Sequence, residues 1–189
     1  NTVSMLLSYE LDLWGRVRNS IAAGKAAAQA SAADLESARL SLHALLAEHY
    51  IRLRNVDAQL NLLGESIQTF EKNLIFVKNR HSGGIASGLD VARAETQVNI
   101  VKAELFELKI QRAVFEHAIA SLIGESATAF TISPVINSDL IQPPQIPIGL
   151  PSMLLQRRPD IASAERKVEA ANASVGVAKA AFFPSISLG

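Results

Sequence analysis

The chain of 189 residues contains no cysteine, and its first proline is Pro134. Without thiols it can form neither a disulfide framework nor a thiolate metal site. The long stretch before Pro134 is also sparse in glycine, so little in it would interrupt long helices. Aromatic residues make up only 5% of the chain, whereas alanine and leucine are abundant, as is typical of long helices.

Charge of neither sign dominates, because 18 Lys and Arg residues balance 18 Asp and Glu residues. This balance argues against nucleic acid or an acidic membrane surface as the main partner. No stretch approaches the roughly 18 consecutive apolar residues of a transmembrane helix, and no signal peptide is visible. The chain begins at Asn1 without an initiator Met and stops at Gly189 just as a strand pattern begins. We therefore expect an internal piece of a longer protein, for which missing targeting signals carry no weight.

Apolar residues recur alternately three and four positions apart on both sides of the loop from Arg80 to Asp90. Before the loop the repeat consists of Leu42, Leu46, His49, Leu53, Val56, Leu60, Leu63, Ile67, Phe70, Leu74 and Val77. After the loop it consists of Val91, Ala94, Val98, Val101, Leu105, Leu108, Arg112, Phe115, Ile119 and Leu122. This spacing is typical of left-handed coiled-coil seams, and the glycine-rich turn predicts an antiparallel hairpin over residues 15–124. Its first arm, from about Arg16 to Asn79, would be roughly 95 Å long at 1.5 Å per residue.

Each arm carries a second apolar stripe beside its main seam. The second stripes are Leu40, Ala44, Ala47 and Ile51 on the first arm, and Phe106, Ile110, Ala113 and Ala120 on the return arm. The alanine-rich start of the first arm predicts close helix packing, with the seam continuing back through Leu35, Ala32, Ala28 and Ile21. A helix with two apolar stripes has two neighbours, so the hairpin is predicted to belong to a larger bundle or a closed ring.

Polar residues interrupt each seam once, at His49 and Arg112. We expect them to fix the register of the helices or to extend to water. The four histidines, His43, His49, His81 and His117, lack ligand spacing such as HExxH. No nucleophile or acid–base constellation is present either, so the sequence predicts no enzyme, no metal site and no cofactor.

The loop between the arms contains Gly83, Gly84 and Gly88, which allow the positive φ angles that tight reversals need. Ser87 and Asp90 predict an N-terminal cap for the second arm, with the carboxylate where a helix dipole favours negative charge. A phosphate-binding loop is excluded, because neither GxxxxGK[ST] nor a preceding strand is present. Two interpretations stay open: a plain helix–loop–helix tip, or a docking tip, since the exposed end of a long hairpin can meet a partner.

Period-two patterns flank the helical region. Leu7, Tyr9, Leu11 and Leu13 alternate with polar residues and predict a strand within residues 1–14. That strand fits the edge of a soluble sheet, or the end of an outer-membrane barrel strand with Tyr9 and Trp14 near an interface. A second strand is predicted to begin within residues 184–189.

Prolines mark the region after the hairpin. Residues 125–158 are predicted to form an irregular crossing segment with a short helix near Ser152 to Gln156. A longer helix is predicted over residues 159–183, because Pro159 suits a first helical turn. Its predicted seam consists of Ile161, Ala164, Val168, Ala171, Val175, Ala178 and Phe182.

Three stretches resemble outer-membrane efflux channels of the TolC and NodT type. Ser8 through Arg18 is similar to their strand-to-helix junction, and Arg80 through Val91 resembles their periplasmic tip. Gly149 through Ser187 resembles the most distinctive stretch of the family. The resemblance covers most of the chain. It implies an all-α fold: a long antiparallel coiled-coil hairpin and a further long helix, with remnants of β-barrel strands at both ends.

The resemblance implies a homotrimer in the outer membrane, with a transmembrane β-barrel and a helical part in the periplasm. Such a channel is a passive conduit that exports drugs or other small solutes after docking to a periplasmic adaptor, which joins it to an inner-membrane pump. The residues that it places at the docking tip are Arg80, Gly83, Gly84, Ser87 and Leu89. It places Asp90 at the closed periplasmic gate, with partners in a second repeat. One departure from the family is His81, where an aromatic residue is frequent.

Two other classes of protein also contain long helical hairpins. A periplasmic adaptor would flank the hairpin with halves of a lipoyl-like β-domain, which residues 125–150 do not obviously supply. A generic coiled-coil scaffold would need one seam per helix, and the second stripes argue against that. The channel is therefore the favoured interpretation, with an adaptor or scaffold as the alternative.

Overall fold

The structure is a computed structural model that describes residues 9–135 and 151–188, with the backbone alone for 151–153. The elements in chain order are β1 (Tyr9–Leu11), α1 (Arg16–Ser82), α2 (Gly88–Ile123), α3 (Pro151–Gln156), α4 (Pro159–Ala180) and β2 (Ile186–Leu188). The predicted all-α fold, with a long hairpin and a further long helix, is confirmed. Parts of the predicted first strand and of the crossing segment, at residues 1–8 and 136–150, lie outside the described residues.

The chain divides into two compact units. One consists of Asn1–Ser41 with Gln145–Gly189, and the other of Leu42–Pro144. Helix α1 contributes to both units. Among the residues that the structure describes, no helix combines the length and the apolar character needed to cross a membrane.

In the unit Leu42–Pro144, α1 and α2 pack as an antiparallel hairpin along the predicted seams. From Leu46 to Val77, and from Val91 to Leu122, every seam residue is buried or half-buried. Leu53 is completely inaccessible, with an exposed fraction of 0%. Only Leu42, at the boundary of the unit, is exposed. The 3.5-residue repeat thus identified the buried face of the hairpin correctly, because a residue on that repeat returns to the same side of a slightly underwound helix.

Two ion pairs flank this seam and connect the arms. The Nζ atoms of Lys78 and Lys102 lie 2.7 Å from Glu95 Oε1 and Glu71 Oε1, respectively. The charges are reversed between the two pairs. Sliding one helix by seven residues would therefore bring two lysines or two glutamates together, which disfavours that register.

In the other unit, the start of α1 packs against α4 through small side chains. Ala26 and Ala30 of α1 and Ser163 and Ala180 of α4 are buried. A β-carbon at Gly176 would lie only 2.7 Å from Cγ of Asn19, so the helices approach so closely that Asn19 would have to move for any larger residue there. The predicted tight packing at the alanine-rich end is confirmed.

The predicted seams of the two helices do not lie in this contact. Ile21 and Leu35 of α1 are exposed, and so are Val175 and Val168 of α4, the last with an exposed fraction of 70%. On each helix, the predicted seam and the buried face both follow a three-and-four spacing. The helices pack through the faces with the smaller side chains, because these faces allow the two backbones to come closer together. Lys167 strengthens the contact, because its Nζ lies 3.1 Å from Asp34 Oδ2. The neighbouring Ser163 hydroxyl, followed by the hydrogen bond from Lys167, lowers the pKa of Asp34 from its ordinary value.

The two strands pair with each other. β1 and β2 are antiparallel, with Tyr9 opposite Leu188 and Leu11 opposite Ile186. Next to them, the Trp14 ring stacks on Phe183 at a centroid distance of 4.5 Å, and its Nε1–H donates to the Pro184 carbonyl at 3.0 Å. These contacts hold the entry to α1 against the exit from α4.

The first turn of α1 is capped from the preceding residues. Gly15 has a φ of 76°, and the Asp12 carboxylate accepts from the Val17 and Arg18 N–H groups at 3.0 and 2.9 Å. The Arg18 N–H is the main cause of a lowered pKa of Asp12. A carboxylate bound to the free N–H groups of a helix start stabilises the start at that position.

Candidate functional site at the hairpin tip

The hairpin reverses over residues 83–87, between the last turn of α1 and the first turn of α2. The Arg80 carbonyl accepts from the Ile85 and Ala86 N–H groups at 2.9 and 3.2 Å, which folds the loop back over the end of α1. Gly84 has a φ of 73°, a conformation that side chains disfavour. Of the three glycines predicted to supply a positive φ, Gly83 and Gly88 do not. The reversal therefore depends on one left-handed residue.

Ser87 and Asp90 form the predicted cap, and that prediction is confirmed. The Asp90 N–H donates to Ser87 Oγ at 3.2 Å, while the Ser87 N–H donates to Asp90 Oδ2 at 3.0 Å. The Ser87 hydroxyl also donates to Asp90 Oδ2 at 2.8 Å. The two side chains thus satisfy each other's backbone groups in a capping box. The hydrogen bond from the Ser87 hydroxyl, followed by that from its N–H, holds the pKa of Asp90 below its ordinary value of 3.8.

The start of α2 should consequently be stable to mild acid and fray in strong acid. Because the folded pKa of Asp90 is lowered, its contribution is complete above about 3.8 and is lost as the pH falls through the folded pKa. Backbone carbon chemical shifts of residues 88–91, recorded from pH 7 to pH 2 on selectively labelled protein, would measure this. In Ser87→Ala the same residues should be frayed throughout. Identical titration curves for the two proteins would contradict the prediction.

The tip exposes apolar side chains around this capped loop. The exposed apolar residues are Ile75, Phe76, Ile85 and Leu89, and Ile85 has an exposed fraction of 71%. The Arg80 guanidinium lies over the Phe76 ring, 5.7 Å from its centroid. The residues predicted for docking, namely Arg80, Gly83, Gly84, Ser87 and Leu89, are all exposed and lie within or beside the loop. The structure brings them together, and their docking role stays a prediction.

A second cluster was not predicted from the sequence. It lies in the middle of the hairpin, where Asp57 has a side-chain exposure of 1%. Arg112 Nε donates to Asp57 Oδ1 at 2.7 Å, and Arg54 Nη1 donates to Asp57 Oδ2 at 3.0 Å. Arg112 also pairs with Glu116 at 3.1 Å. Since the Arg112 side chain is only 13% exposed, it does not extend to water, and of the two expectations only that of fixing the register remains for it.

This charged cluster binds the backbone that follows the hairpin. The Ile132 N–H donates to Glu116 Oε1 and its carbonyl accepts from Arg112 Nη2, both at 2.5 Å. The Ser133 carbonyl accepts from Arg54 Nη1 at 2.9 Å. The cluster therefore ties α1, α2 and the beginning of the crossing segment together. The only sign of this cluster in the sequence analysis was Arg112, a polar residue in an otherwise apolar seam.

Long antiparallel helices joined to short strands define the class of protein, and comparison with known proteins defines the family. The model of the outer membrane efflux protein family matches residues 1–125 and 150–189, and the chain belongs to this family. It is 36% identical over 181 residues to the probable efflux pump outer membrane protein TtgC of Pseudomonas putida, a match covering 96% of this chain and 37% of TtgC. It is 32% identical over 185 residues to the cation efflux system protein CusC of Escherichia coli, covering 96% of this chain and 39% of CusC.

A solved structure gives the same result. The crystal structure of a membrane protein from Pseudomonas aeruginosa superimposes with a TM-score of 0.83 and 34% identity, over 95% of this chain and 41% of that protein. The chain thus spans about two fifths of the length of these relatives. Because the family consists of outer membrane efflux proteins, the alternative of a periplasmic adaptor or a scaffold is not supported.

Proposed function

We propose that the protein containing this chain is an outer-membrane channel subunit of a tripartite efflux pump. It serves as a passive conduit for drugs or other small solutes, with its helical part in the periplasm. The observation that carries the proposal is the family match, which runs from the strand through the whole hairpin and resumes before α3. TtgC, which carries the name of an efflux pump outer membrane protein, is similar to nearly all of the chain.

The large residues of the second stripes are exposed, which supports assembly into a homotrimer, whereas Ala120 of the return arm is buried. Leu40, Ile51, Phe106 and Ile110 are exposed on their helices. Burying a large apolar side chain is worth about 1.5–3 kcal/mol, so a surface of this kind favours further helices as neighbours. We propose that neighbouring copies and the rest of the protein supply them, which closes a ring of helices around the conduit.

The exposed tip supports docking to a periplasmic adaptor, which in turn joins the channel to an inner-membrane pump. The capped loop exposes Ile85 and Leu89, and the Arg80 guanidinium lies over the exposed Phe76 ring; arginine and aromatic residues are enriched in protein interfaces. Asp90 is proposed to act at the closed periplasmic gate. Both bonds that its carboxylate accepts from Ser87 use Oδ2, so a link to another helix would form through Oδ1.

Conductance and efflux test the two parts of the proposal separately. In a planar bilayer, full-length Asp90→Ala should conduct more than the wild type, because a link at the closed entrance is lost. Unchanged conductance would contradict the gate role.

In cells, Gly84→Val should impair efflux, because valine at a φ of 73° distorts the docking loop. Gly64→Val is the matched control, since a β-carbon there meets nothing within 4 Å and its φ is ordinary. Equal efflux by the two variants would argue against docking through this loop.

A further inference from the structure

The side chain of His81 crosses the tip loop. His81 lies in the last turn of α1, and its Nδ1 is 2.8 Å from the carbonyl oxygen of Ala86. A carbonyl oxygen can only accept, so Nδ1 carries the hydrogen and donates it. Ala86 directly precedes the cap residue Ser87. One side chain therefore connects the end of the first helix to the entrance of the second.

The ring of His81 also lies near the start of α2. A β-carbon added at Gly88 would lie 3.9 Å from Cε1 of His81, so a side chain at that position would touch the ring. The backbone bonds to Arg80 fix where the loop leaves α1, and the capping box fixes Ser87 relative to α2. Of these contacts, that of His81 is the one in which a side chain of α1 holds the loop at its exit.

We propose that His81 is a positioning residue of the docking loop. Its Nδ1–H···O bond holds residues 85–87 in the orientation that presents Ile85 and Leu89 together. This inference rests on the proposed docking function, because His81 would maintain the conformation of the surface that binds the adaptor. A histidine that merely filled an exposed position would leave the loop unchanged when replaced.

Three substitutions separate the hydrogen bond from the ring. His81→Ala removes both, and His81→Phe keeps an aromatic ring without the donor. His81→Asn keeps the donor without the ring, because the amide nitrogen of asparagine is attached to Cγ, as Nδ1 is in histidine. If the bond positions the loop, Asn should behave like the wild type, and Ala and Phe should not.

Hydrogen exchange of the full-length protein in detergent measures the conformation of the loop. In His81→Ala and His81→Phe the Ile85 and Ala86 amides should exchange about 2- to 10-fold faster, the factor expected for loss of one hydrogen bond. His81→Asn should restore the wild-type rates. Wild-type rates in His81→Ala, or failure of Asn to restore them, would overturn the proposal.

Binding of a purified periplasmic adaptor from the same strain, measured by biolayer interferometry, then separates this inference from the proposed function. Weaker binding by Ala and Phe, together with wild-type binding by Asn, supports both. Faster exchange with unchanged binding would overturn docking through the loop, although it would support the role of His81 in holding the conformation of the loop. Weaker binding by Ala and Asn, together with wild-type binding by Phe, would show that the ring rather than the bond matters and would overturn the inference as stated.

Discussion

Replacing Asp57 with alanine should destabilise the unit Leu42–Pro144 by about 3–5 kcal/mol, the usual cost of removing one partner from a buried ion pair. Its carboxylate accepts from Arg112 and Arg54 at 2.7 and 3.0 Å while only 1% exposed. Without it, the largely buried guanidinium groups of Arg54 and Arg112 would lose the carboxylate that they share, while Glu116 would still pair with Arg112. The cost therefore arises mainly from the arginines that remain, rather than from the bonds that are lost.

The measurement is native-state hydrogen exchange at the α1 amides around residue 57 in the full-length protein. Glu95→Ala is the matched control, because Glu95 also pairs across the hairpin at 2.7 Å but is 47% exposed. An exposed pair of this kind contributes about 0–1 kcal/mol. Similar losses for the two variants would show that burial does not set the strength of the Asp57 cluster.

The backbone of the crossing segment should respond to the same substitution. Ile132 is held by Glu116 and Arg112, and both bonds are to its main chain. Since Asp57 orients Arg112, loss of the carboxylate should free the Ile132 carbonyl as well as weaken the hairpin. The charged cluster thus connects helix packing to the position of a segment that has no regular structure of its own between residues 125 and 135.

The hairpin could be predicted from the sequence because its signals are local and redundant. The seams, the glycine-rich reversal and the Ser87–Asp90 cap each indicate the same element, and each is a pattern within a few residues. The helix starts follow as well: α1 begins at Arg16 and α4 at Pro159, as the breaks at Gly15 and Pro159 indicate, whereas α4 ends at Ala180, before the predicted residue 183.

The contact between α1 and α4 could not be predicted in the same way. Two faces of α4 have the required spacing, and the more apolar one carries Val168 and Val175. The buried face instead contains Ser163 and Gly176, because close approach to Asn19 decides the contact rather than apolar character. Partners far apart in sequence could not be predicted either: nothing in the sequence indicates that Asp57 and Arg112, which are 55 positions apart, form a pair.

The second substitution with a large expected effect on stability is in the seam, at Leu53. Its exposed fraction is 0%, so Leu53→Ala should destabilise the hairpin by about 2–5 kcal/mol through lost apolar burial and the cavity left behind. Leu62→Ala is the control, because Leu62 lies in the same helix with an exposed fraction of 66% and makes the same change in helix propensity. In single chains, the free energy of unfolding measured by hydrogen exchange should fall several-fold less for Leu62→Ala than for Leu53→Ala.

If the proposed ring covers the outer faces of the hairpin, the destabilisation caused by Leu62→Ala should increase on assembly, whereas that caused by Leu53→Ala should stay constant. Equal costs for the two substitutions in the single chain would mean that the 3.5-residue repeat does not mark the buried face of this hairpin.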